Sequence, residues 1–162
     1  MIYTQPNSQE RVSMRYTLAR LEPLRELLSA VRIKMEQIAL NTKEKGLRNN
    51  ILNFVIETAP YEEQVKNAIA SLQQLFPVND ISHVKKDEND DYQPNCPFEC
   101  ARTYEKKILR SFRAIINDIQ VQQEIRELIR SQQNEMLFAF LKIKMLNGFS
   151  PRELRFIGNN ML

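Results

Sequence analysis

"ETAPYEEQV", Glu57 to Val65, sets a proline and three carboxylates inside a stretch whose apolar residues otherwise recur at helical spacing. Whether Pro60 ends a helix or lies within one decides how many elements the chain has. Leu47, Ile51, Phe54, Thr58, Tyr61, Val65, Ala68 and Leu72 alternate steps of four and three, the spacing of one buried helical face. An interior proline removes one backbone hydrogen bond, here to the Ile56 carbonyl, and crowds the preceding turn. The stripe nevertheless continues on both sides of Pro60, which predicts one bent helix rather than two elements.

On the N-terminal side, Leu24, Leu28, Val31, Met35 and Ile38 form the stripe of a first helix. Pro23 is expected in its opening turn, where a missing N–H costs nothing. Asn41 and Gly46 bracket a short turn, so residues 20–76 read as one helical hairpin. Residues 77–97 then lose all periodicity in the polar, acidic run VNDISHVKKDENDDYQPNC, too long for a tight turn and expected as a crossover. Periodicity returns over 98–147. Ala101, Tyr104, Ile108, Phe112 and Ile115 mark a third helix, and Val121, Ile125, Leu128, Gln132, Met136, Ala139 and Ile143 a fourth, joined near Asp118. In the tail, 148–162, Gly148 is followed by Ser150, Pro151 and Glu153, a capping-box signature for a short final helix.

Composition agrees with this all-α reading, because only three Gly and no Trp stand among abundant Leu, Ile, Glu, Gln, Lys and Arg. The 162 residues are expected to form a single domain, 1–162. Twenty-three Lys plus Arg against twenty Asp plus Glu leave a net charge of +3, too small by itself to imply nucleic acid or an anionic membrane, and neither is expected as a partner. The N-terminus lacks the apolar core of a signal peptide, so the chain reads as cytoplasmic. Cys96 and Cys100 are too few for a disulfide framework and are expected to be reduced.

The order of two hairpins, with Leu28, Leu47, Glu57 and Tyr61 in the first and "TYEKKI" (Thr103 to Ile108), Val121, Leu128 and Gln132 in the second, resembles the small bacterial ferritin-like four-helix bundles grouped as a domain of unknown function. The likeness spans most of residues 20–147. It implies a ferritin-like bundle of two helical hairpins with a long crossover. In the wider superfamily a dinuclear iron site takes Glu from two helices and Glu-x-x-His from the other two. Here the chain departs from the pattern: its one histidine, His83, falls in the crossover, and Glu57 and Glu135 are followed at i+3 by Pro60 and Phe138. Glu57, Glu62, Glu105 and Glu135 are the carboxylates from which an iron or manganese site could be assembled, and on this ligand count no cofactor is expected. A loop site from Cys96, Cys100, His83 and the acids Asp87, Glu88, Asp90 and Asp91 lacks usual zinc spacing.

Counting outward from the two turns places Thr58, Glu105 and Gln132 at one height on the apolar stripes, which predicts a buried polar layer that fixes helix register. Arg102, Lys106, Arg110 and Arg113 make a basic stripe on the third helix, but Glu99 and Glu105 lie among them and no aromatic platform accompanies them, so it reads as a solvated face. No catalytic motif or small-molecule site is recognisable, and catalysis is not expected. "MLFAFLKIKML", Met136 to Leu146, is apolar on nearly every face and must be covered all round. Leu137, Phe140, Leu141 and Leu146 are therefore expected in the interface of a homodimer or larger homo-oligomer. The expected function is a non-catalytic, self-associating or protein-binding bundle; a metal-binding, di-iron carboxylate-like protein is the alternative.

Overall fold

The structure is a computed structural model and describes residues 7–75 and 96–147. Among them are four helices and no strand: α1 (Ser8–Asn41), α2 (Lys45–Leu75), α3 (Pro97–Ile116) and α4 (Gln123–Met145). Most of the crossover, with His83 and the acids 87–91, and the tail 148–162, with the Ser150 cap, lie outside the described residues.

Helix α1 corrects the expected start of the first hairpin. It begins at Ser8, where the Asn7 side chain accepts the Glu10 N–H at 2.8 Å and the Glu10 carboxylate accepts the Asn7 N–H at 3.1 Å. This reciprocal box satisfies two donors that a helix start leaves open. Pro23 is interior, not in the first turn. The helix passes through it because Met14, Thr17, Leu21, Leu24, Leu28, Val31, Met35 and Ile38 keep one buried row at steps of three and four. Thr17 is the polar member of that row. Its hydroxyl donates to the Ser13 carbonyl at 2.8 Å and accepts the Gln122 N–H at 3.4 Å, so it is buried without being left unpaired.

Helix α2 is continuous through Pro60, whose ring lies on the exposed side, while Ile51, Phe54, Thr58, Val65 and Leu72 face inward. Pro97, counted with the crossover from sequence, is the first residue of α3, and Cys96 caps it without a side-chain bond. A six-residue connection, 117–122, leads to α4. In it Asp118 accepts the Gln120 N–H at 3.0 Å, an Asx turn.

Helix α1 packs against α2 and α3, and α4 packs against the same two, leaving α1–α4 and α2–α3 as the diagonals of a four-helix bundle. The Ser13 hydroxyl donates to the Gln120 carbonyl at 2.6 Å and Arg20 faces Asp118 at 3.4 Å, which sets the start of α1 against the end of α3. Helices α1 and α3 are therefore antiparallel. Since α1 and α2 are also antiparallel, α2 and α3 run in the same direction, and Leu75 and Pro97 stand at opposite ends. Leu21, Met35, Ile51, Ile108, Phe112 and Met136 are fully enclosed in the shared core. No helix among the described residues is long and apolar enough to cross a membrane.

Candidate functional site

The strip where α2 meets α4 gathers most of the side chains singled out from sequence. Phe54 and Phe140 pack at 5.1 Å between ring centroids and 50° between planes, a tilted aromatic contact that fixes the level of the two helices. Polar bridges accompany it along the strip. Lys142 reaches the Glu57 carboxylate, and Gln132 Nε2 donates to Gln64 Oε1 at 2.8 Å and to the Tyr61 carbonyl at 3.3 Å. Tyr61 itself interacts with Glu135. Burial and then the hydrogen bond with Glu135 push the Tyr61 phenol above its ordinary range.

The single polar layer is corrected. Thr58 and Gln132 are buried, but the Thr58 hydroxyl donates within its own helix to the Phe54 carbonyl at 2.8 Å. Glu105 meets neither. Its carboxylate is half-buried against Lys144, whose Nζ lies 2.9 Å from both oxygens. Lys144 is twelve residues beyond Gln132, about 18 Å along the axis, so Glu105 faces the far half of α4. A reversal over 117–122 in place of a point turn at Asp118 moves the facing position by only about 3 Å, so it is the pairing with Lys144 that takes the Glu105 carboxylate out of the layer. Gln132 Oε1 is buried with no donor among the described residues, which makes Gln132 a weaker register pin than a fully paired side chain.

The four carboxylates considered as metal ligands are distributed, not gathered. Glu57 pairs with Lys142, Glu105 with Lys144, and Glu62 with Arg32 at 2.7 Å and Lys66 at 3.3 Å, while exposed Glu135 attends Tyr61. Three of the four charges are thus already answered by a cation. Among the described residues no three His, Cys, Asp or Glu side chains come together. Cys96 and Cys100 are free thiols, and burial pushes the Cys100 thiol up to about 12, which leaves it protonated and unreactive at pH 7. Between α2 and α4 a pocket of about 20 Å³ is lined by Asn50, Phe54, Glu57, Ala139, Lys142 and Leu146. It holds room for one water and none for a substrate.

The expected interface divides. Phe140 and Leu146 are 1% and 3% exposed and belong to the bundle's own core, so their place in an intermolecular surface is corrected. Leu141 is 45% exposed, Leu137 half-buried, and two residues missed from sequence, Phe138 and Met145, are each 61% exposed. The signal was present in the sequence, since 138, 141 and 145 share a face at steps of three and four. Lys142 Nζ stands 5.2 Å from the Phe138 ring centroid.

Comparison with protein-family models, with characterised proteins and with solved structures finds no match for this chain.

Proposed function

We propose that the chain is a non-catalytic bundle of ferritin-like arrangement that works by self-association, a second copy covering the outer face of α4. The observation that carries this is the exposure of Phe138, Leu141 and Met145 in one row on α4, with Leu137 beside them. Clustered large apolar side chains on a monomer's surface mark an interaction site far more often than scattered ones do. A twofold pairing of like faces needs only this one self-complementary patch. The parallel run of α2 and α3 supports the ferritin-like arrangement, because it calls for a connection that spans the bundle's length. Setting cations against Glu57, Glu62 and Glu105 supports a structural rather than a metal-ligating use of these carboxylates.

Light scattering on size-exclusion peaks tests this reading. A dimer or larger closed oligomer is expected for the unmodified chain, and a folded monomer for Phe138→Glu combined with Leu141→Glu. A monomer at high concentration before any substitution would sink the reading. Stoichiometric iron or manganese, lost on Glu105→Gln, would restore the metal-binding alternative.

A further inference from the structure

Arg102, Lys106, Arg110 and Arg113 are all exposed along the outer side of α3, nearly one cation per turn over a rise of about 16 Å. Helix α3 holds five Lys or Arg and two Glu, a net +3 that equals the charge of the whole chain. From sequence this row reads as a solvated face because carboxylates interrupt it and no aromatic residue accompanies it. Both grounds change in the folded chain. Glu105 is turned away to Lys144 of α4 and Asp118, at the row's C-terminal end, is paired with Arg20, which leaves Glu99 at the N-terminal end. Tyr16 of α1, 44% exposed, lines a shallow surface depression with Arg20, Arg110, Arg113, Asn117, Asp118 and Ile119. Among the described residues none of the four cations of the row has an ion pair, whereas Arg20, Arg25, Lys66, Lys142 and Lys144 each have one and Arg32 has two.

We propose that the α1–α3 face binds single-stranded nucleic acid, with the backbone along Arg102, Lys106, Arg110 and Arg113 and a base stacked on Tyr16. A straight row of cations complements a polymer that carries a charge on every unit. The arginine forks suit phosphate oxygens, which they meet two at a time. A single strand offers unstacked bases to Tyr16 where a duplex does not. A lipid surface fits less well, because a helix lying in a bilayer interface needs apolar side chains on its charged face to insert. On this face the row itself is flanked by Glu99, Thr103 and Asn117, and Ile119, exposed beside Arg110 and Arg113, is a single apolar side chain where such a helix needs a row of them. The proposal is independent of the α4 surface.

Fluorescence anisotropy of labelled 15-nucleotide oligo-dT and oligo-U, with the full chain from 50 to 300 mM NaCl, tests it. For four phosphates the slope of log K against log salt is expected to be about −2.8. Arg110→Gln with Arg113→Gln should lower its magnitude by about 1.4, since about 0.7 is lost per phosphate. Tyr16→Ala should weaken binding about tenfold and leave the slope unchanged. All three positions are at the surface, and circular dichroism verifies that each variant is folded. Absence of binding at 50 mM salt, an unaltered slope in the double variant, or equal competition by duplex, by polyglutamate or by phosphatidylserine vesicles would overturn the proposal.

Discussion

Burial by itself would raise the proton affinity of the Glu62 carboxyl, but hydrogen bonds and charge from Arg32 and Lys66 outweigh it and hold the group below the ordinary carboxylate range. A carboxyl whose folded value is depressed adds stability at pH above its unfolded value, about 4.3, and loses it as pH falls through the folded value. Denaturant midpoints measured from pH 7 down to pH 3 should therefore fall below about pH 4.3 more steeply for the unmodified chain than for Glu62→Gln. At pH 7 the same substitution should cost about 2 kcal/mol, the scale of a charge-assisted hydrogen bond. Glu62 could be picked out from sequence as a carboxylate near Pro60. Its partner could not, because Arg32 is thirty residues away and the meeting depends on how α1 and α2 align.

The cost of an interior proline lies in one element and is tested there. Pro60 is exposed and α2 continues on both sides of it, so Pro60→Ala should keep the fold and raise the thermal midpoint, by up to about 3 kcal/mol of stability in an unstrained helix. A lower midpoint would mean that the packing needs the ring. The course of α2 was legible because eight stripe positions outvote a single missing donor. The first three turns of α1, residues 8–19, were not, although they obey the same spacing. Thr17 interrupts the apolar pattern there, and Pro23 suits a helix start so well that it masks the row that precedes it. The Asn7 and Glu10 box was the missed start signal. On α4 the inward direction was legible from Met136, Ala139 and Ile143, but dividing an all-round apolar stretch between core and surface needed the neighbouring helices. Phe140 went inward only because Phe54 stands opposite.

At the scale of the molecule, the row of exposed cations lies on α3, while the exposed apolar row of Phe138, Leu141 and Met145 lies on α4. The α1 and α2 pair and the α3 and α4 pair are each close in sequence, and contacts between the pairs close long loops. Ser13 and Thr17 bond to Gln120 and Gln122, more than a hundred residues on. Closing a long loop is entropically expensive, so local hairpins should gather first and this clasp should form after the rate-limiting barrier. Thr17→Val removes the acceptor of the Gln122 N–H while keeping the side chain's shape. Stopped-flow measurements should then show faster unfolding with a nearly unchanged refolding rate. The first turns of α1 would in that case set the lifetime of the native state rather than the speed of reaching it.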